Sequence, residues 1–226
     1  MKKVYIILLL VIFSTTGCSK VSEEMAEQHL ENKYNEDFTY VKLLDSSVSV
    51  GDITNGKDYH FVSQNGDDVS VVCGEQEDKY SCVDGYYKYL IYDDMFDKIK
   101  TTISKYIPNM KMKMSFSSSI FENSWDKKTS LEQALAENSS NLFTYVSIFT
   151  YNLDENNISR IENNMWYELE QKGLSLNVRI FNVSLNEYNS LRTNNNNALS
   201  DEEYASFMDS KGYSFKETLS KIIKNY

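Results

Sequence analysis

Tyr59–Cys82 reads YHFVSQNGDDVSVVCGEQEDKYSC, and this stretch decides the fold of the first half of the chain. Two strand-like runs, Tyr59–Gln64 and Asp68–Val72, flank Asn65-Gly66. Asn and Gly tolerate the positive φ that a two-residue hairpin turn demands, so the pattern predicts a β-hairpin. The second strand ends at Cys73, and a polar loop, Gly74–Lys79, leads to a third strand near Tyr80. Folding this second hairpin about Glu77-Asp78 sets Cys73 opposite Cys82, within reach of a disulfide. The third strand is expected to continue through Tyr92, with a bulge at Gly85. Tyr87 and Tyr89 then share one face, and Tyr86 and Tyr92 the other. One pair belongs to the core. The other is a candidate binding surface, an aromatic ledge for a peptide or sugar. Tyrosine is also a good strand former, so a purely structural role competes with that reading.

Upstream, Ser22-Glu23-Glu24 opens a helix with an N-cap and two carboxylates in its first turn. Met25, His29, Leu30 and Tyr34 fall on one side of it. Phe38–Leu44 reads as a strand and Gly51–Lys57 as a turn. Downstream, Asp93 or Asp94 caps a helix that carries Phe96, Ile99, Ile103, Tyr106 and Ile107, and Pro108 stops it. Residues 18–109 are thus a helix, an antiparallel sheet and a helix.

Residues 110–226 alternate strand and helix. Met112, Met114 and Phe116 alternate with polar residues as a half-buried strand. Thr129–Glu132 forms a capping box. Leu142–Tyr151 is apolar or aromatic on both faces, the pattern of a central strand. Ile158, Ile161, Met165 and Leu169 mark a helix ended by Gly173, and Leu174, Leu176, Val178 and Ile180 mark another strand. Ser200 with Glu203 and Ser214 with Glu217 open two closing helices, the second burying Phe215, Leu219, Ile222 and Ile223. The fold class is α+β: an antiparallel sheet with flanking helices, followed by a strand–helix segment.

The N-terminus carries an address. Met1-Lys2-Lys3 is basic, Val4–Phe13 is apolar, and Ser14-Thr15-Thr16-Gly17 leads into Cys18. These are the three regions of a signal peptide, and the apolar run is far shorter than the roughly twenty residues of a membrane span. Small residues running into a cysteine resemble the lipobox of bacterial lipoproteins, with Thr15 where Leu is usual. The resemblance implies cleavage before Cys18, a diacylglyceryl group on its thiol, and a place on the extracytoplasmic face of the membrane. The richness in Asn, Lys, Ile and Tyr is similar to exported proteins of low-GC Gram-positive bacteria. With Cys18 lipidated, Cys73 and Cys82 remain as a pair outside the reducing cytoplasm.

The formal charge is −10, or −12 once Lys2 and Lys3 leave with residues 1–17. An acidic surface repels phosphate backbones, which argues against nucleic acid and favours a basic protein partner. His29 and His60 are the only histidines, and neither stands at metal-ligand spacing from another His or Cys. Each reads as a satisfied core or edge residue. Ser124-Trp125-Asp126-Lys127 has the S-x-x-K spacing of penicillin-recognising enzymes, but S-D-N and K-T-G are missing and the neighbourhood reads as a loop. Asp52, Asp58, Asp67, Asp68, Glu75, Glu77 and Asp78 come from turns of the first sheet. They read as a solvated acidic rim more readily than as a Ca²⁺ site. No cofactor is implied. The expectation is a membrane-anchored, non-enzymatic protein- or envelope-binding module. An immunity or inhibitor protein against a basic toxin or enzyme, and a carboxylate-dependent envelope hydrolase, are the alternatives.

Overall fold

A computed structural model describes residues 21–117, 124–138, 142–153, 158–211 and 219–223. The chain is α+β, built on two sheets. Helix α1 (Glu23–Tyr34) starts where Ser22 Oγ accepts the Met25 N–H, and ends at Asn35 in the left-handed region (φ 51°). Its buried line is Ala26, Leu30 and Tyr34, a four-residue repeat, with Met25 and His29 flanking it half-buried.

Strands β1 (Phe38–Val50), β2 (Ile53–Ser63), β3 (Asp68–Gln76) and β4 (Lys79–Asp84) form an antiparallel meander in the order β1-β2-β3-β4. The hairpins about Asn65-Gly66 and Glu77-Asp78 are present as expected, with Asp68 opposite Val62 and Cys73 opposite Cys82. Gly51–Lys57 is mostly strand rather than turn: the ladder holds to Val50–Ile53 and only two residues turn. Tyr59, Phe61, Val69, Val71, Cys73 and Cys82 face α1 and close a first core with Phe38 and Tyr86.

The third strand does not run through the tyrosines. β4 ends at Asp84, and the chain enters α2 (Tyr87–Leu90) and α3 (Tyr92–Ile103). The helical turn sends Tyr86 and Tyr89, three apart, to the first core, and Tyr87 and Ile91, four apart, to the second. A strand would have left alternate rings in water. α3 has no side-chain cap; Asp93 and Asp94 lie in its first turn, where carboxylates suit the helix dipole.

The second sheet has the order β5-β6-β7-β8: β5 (Met110–Phe116), β6 (Thr144–Thr150), β7 (Leu176–Asn182) and β8 (Leu219–Ile223). β5 is antiparallel to β6, β6 parallel to β7, and α5 (Ile158–Gln171) makes the crossover. One face packs on Met95, Phe96, Ile99 and Ile103 of α3 and on Met165 and Leu169 of α5. α3 therefore packs with the second sheet, and the two buried clusters meet at Tyr86 and Tyr87. On the other face Phe149 and Phe181 stack at 4.8 Å beneath Phe207 of α7 (Asp201–Lys211). β6 is thus buried on both sides, as its apolar run predicts.

Three local expectations shift. The cap of α4 (Leu131–Asn138) is Ser130 with Gln133, one residue beyond Thr129 and Glu132. A Ser184–Glu187 capping box opens α6 (Leu185–Ser190), which the periodicity had not marked. Leu219, Ile222 and Ile223 lie in β8, not in a second closing helix; adjacent β-branched residues suit a strand, and β8 pairs the open edge of β7. Ser214, Phe215 and Glu217 lie outside the described residues.

Candidate functional site

The meander sorts the acidic turns by position. The β1–β2 and β3–β4 turns emerge at one end of the sheet, and the β2–β3 turn at the other. The seven turn carboxylates therefore do not form one cluster. Asp67 and Asp68 stand at the Asn65-Gly66 end, where Ser63 Oγ donates to Asp67 and His60 Nε2 meets Asp68 Oδ1 at 2.8 Å. Asp58 sits on the outer face of β2 and accepts the Ser70 hydroxyl at 2.5 Å. Burial raises the pKa of Asp58, opposed by the Ser70 hydrogen bond and reinforced by Asp45.

Asp52, Glu75, Glu77 and Asp78 do converge. With Thr54, Lys79 and Tyr80 they line an open concavity of about 600 Å³ at the sheet tip. Glu77 and Asp78 have φ of 47° and 63°, the left-handed pair required by a tight hairpin turn. Four residues back from the Glu77-Asp78 turn on each strand, the Cys73–Cys82 disulfide ties β3 and β4 together. The tip is thus a short, covalently braced hairpin beside the β1–β2 turn. Tyr80 is 39% exposed, one of the few large side chains the first sheet leaves in water. Opposed to it are four carboxylates and one ammonium, Lys79, so the tip is net acidic.

The four tyrosines singled out in the sequence do not form a wet ledge. Tyr86 and Tyr87 are 0% and 2% exposed. All four hydroxyls are committed: Tyr86 donates to Glu36, Tyr87 to the carbonyls of Thr129 and Ser130, Tyr89 to the Asp68 carbonyl and Tyr92 to that of Met114. Burial pushes the Tyr86 and Tyr87 phenols up to about 12. They are the joint between the two cores.

A buried ionic hub beneath α1 is only partly legible in the sequence. Asp84, fully buried, receives Lys33 Nζ at 2.7 Å and lies 2.9 Å from His29 Nε2 on Oδ2; Tyr34 OH and the Tyr86 N–H donate to Oδ1 at 2.7 and 3.0 Å. Burial pushes the Asp84 pKa up, but the His29 hydrogen bond and the Lys33 charge outweigh it and hold the carboxyl below its ordinary range. The Tyr34 phenol is raised strongly, by burial first and then by Asp84. Tyr34 OH also approaches the Trp125 carbonyl at 3.4 Å, which links the hub to the second half of the chain. The signal for this hub was His29 and Lys33, four apart on one helix, together with an acidic residue at a strand end.

His29 is therefore a satisfied residue. His60 is half so: Nε2 has its carboxylate, while Nδ1 is buried without a partner among the described residues. Ser124–Lys127 is an irregular segment with Trp125 in the core, not a helix that would set Ser124 and Lys127 side by side. Among the described residues no group of three or more His, Cys, Asp or Glu could hold a metal ion, and no helix is long and apolar enough to cross a membrane. Cys18 lies outside the described residues.

No family model matches the chain, and no curated protein matches it. Among solved structures the chain is similar to the crystal structure of a DUF5037 family protein from Ruminococcus gnavus, at 14% identity over 87% of this chain and 89% of that one, with a TM-score of 0.43.

Proposed function

We propose that the chain is an extracytoplasmic lipoprotein, held on the membrane through Cys18, and that it binds a basic protein rather than transforming a substrate. The observation that carries the binding half is the acidic tip: Asp52, Glu75, Glu77 and Asp78 around a shallow concavity with an exposed ring, Tyr80, at its rim. Carboxylates around an aromatic anchor suit a cationic partner, since charge steers the encounter and the ring contributes contact area. An immunity or inhibitor protein against a basic secreted toxin or enzyme is the specific form that this charge favours.

Support for the anchor comes from the signal-like N-terminus and from an intact disulfide of the kind exported proteins keep. The tether bears on where the partner is met. Val21 is buried, and its carbonyl accepts Lys57 Nζ at 3.1 Å and Tyr59 OH at 3.2 Å. Cys18 precedes Val21 by three residues, which span at most about 10 Å. The tip at Asp52 lies five residues before Lys57, roughly 17 Å at strand rise. With the Lys57 side chain bridging the two spans, a lipid on Cys18 would hold the tip within about 40 Å of the headgroups, so the basic partner is one encountered at the membrane surface.

Two variants test the halves separately. Cys18→Ala should release the protein from the membrane fraction; retention with unchanged signal cleavage would refute the anchor. Neutralising the tip (Asp52→Ser, Glu75→Ser, Glu77→Ser and Asp78→Ser together) should abolish salt-sensitive binding of the physiological partner and leave the fold intact. Binding that ignores both the tip charges and added salt would refute the acidic interface.

A further inference from the structure

β1 is the outer strand of the first sheet, and among the described residues no strand pairs with its far side. The matching edge of the second sheet is covered. There the 194–199 loop crosses β5, with Met112 N–H donating to Asn197 O and Leu199 N–H to Met112 O, both at 2.9 Å. On β1, Val41, Leu43 and Leu44 remain 48%, 43% and 48% exposed. An unpaired strand with exposed apolar side chains is a template for another strand.

The ladder with β2 gives this edge an unusual charge pattern. Tyr40 and Lys42 pair with the consecutive residues Phe61 and His60, and Leu43 and Asp45 with Tyr59 and Asp58. Val41 and Leu44 are therefore the extra residues of two bulges. Lys42 faces His60 and Asp45 faces Asp58, two residues apart on β2 and on the same face of it. The bulge at Leu44 thus brings Lys42 and Asp45 to one face although they are three apart. A two-fold axis perpendicular to the sheet, passing between Leu43 and Leu44, reverses the strand and preserves its faces. It sets Lys42 of each copy opposite Asp45 of the other, and Leu43 opposite Leu44. Lys42 has no ion-pair partner among the described residues, and Asp45 keeps one oxygen beyond the Ser47 N–H it accepts.

We infer that β1 is a self-complementary edge, and that two copies of this chain pair antiparallel through Val41–Asp45. The occupant is a second copy because the pattern Lys-Leu-Leu-Asp matches itself when reversed. The bulges restrict pairing to the phase they allow, and the two-fold uses the same patch on both copies, so the assembly closes at two. Net repulsion between two acidic chains is screened beyond about 8 Å at physiological salt, whereas the paired charges at the edge are in contact.

The test is sedimentation of the full-length chain, extracted in mild detergent, across a concentration series at physiological salt. Wild type should form dimers. Lys42→Asp sets two carboxylates opposite each other at both symmetric sites, and Asp45→Lys two ammonium groups; each should weaken the dimer roughly tenfold. The double exchange K42D/D45K restores opposite charges and should restore the dimer, a result that co-residence in one micelle does not produce. Leu43→Glu should give monomers. Circular dichroism and an intact Cys73–Cys82 disulfide confirm that each variant is folded. A monomeric wild type, a dimer indifferent to these changes, or single reversals that the double exchange does not rescue would each overturn the proposal.

Discussion

Asp84 is the side chain on which α1, β4 and the first turn of α2 converge. Breaking a buried, partnered charge costs about 3–5 kcal/mol, because the groups left behind lose their counter-charge in a low-dielectric site. Asp84→Asn, which removes the negative charge facing Lys33 and turns one acceptor oxygen into a donor, is therefore expected to lower unfolding free energy by about that amount, read from a urea titration. The pH dependence follows from direction alone. The folded carboxyl is held below its ordinary value, so its contribution is complete above the unfolded pKa of 3.8 and is lost as pH falls through the lower folded value. Wild type should lose stability on acidification below about pH 4, and D84N should lose less over that window. Glu77 makes the opposite prediction. Its φ of 47° is a left-handed conformation that costs a Cβ residue roughly 1–2 kcal/mol, and Asn tolerates it better. Glu77→Asn should stabilise the fold by roughly 0.5–1 kcal/mol while removing one tip charge. A more stable variant that binds its basic partner less well would mark Glu77 as kept for charge at a cost in strain. Such residues were half-legible. His29 and Lys33 are visibly four apart, but an aspartate at a strand end looks like any turn aspartate until the fold buries it.

Among the elements, the second hairpin was the most legible, because turn chemistry and the cysteine pair agree on one register. The disulfide closes a loop with a sequence separation of 9, for which the chain-entropy account gives roughly 2–3 kcal/mol. Replacing both cysteines by Ser should cost about that much in a denaturant titration, with the far-UV spectrum retained. Thiol labelling of the denatured, unreduced protein should leave Cys73 and Cys82 unmodified; full labelling of both would contradict the bridge. The segment after Asp84 departs from the expected strand for a physical reason. Tyrosine favours strands only when a pleated surface awaits it, and here two separate cores await it at helical spacing. The C-terminus failed similarly. Leu219–Ile223 suits a helix face as well as a strand, and the unpaired edge of β7, unseen in the sequence, decides for the strand. The Ser200–Glu203 box located α7 to the residue, whereas the α4 cap slipped by one at Thr129-Ser130, where two adjacent hydroxyls compete.

At the scale of the molecule, two sheets share one joint: Tyr86 serves one core, Tyr87 the other, and Tyr34 reaches across to Trp125. The composition indicates an acidic folded domain but not where its charge matters. That depends on which turns of the meander emerge together, a property of strand order. In the proposed function, the acidic tip meets a basic protein at the membrane surface. The most direct measurement is site-specific photo-cross-linking in intact cells of the native host, with a benzophenone side chain replacing Tyr80 at the tip or, as control, Tyr167 on α5, which is 64% exposed. The account predicts one discrete cross-linked protein of basic isoelectric point from position 80, diminished when Asp52, Glu75 and Asp78 are changed to Ser, and none from position 167. An acidic adduct, an adduct unaffected by those changes, or no adduct at position 80 would contradict it.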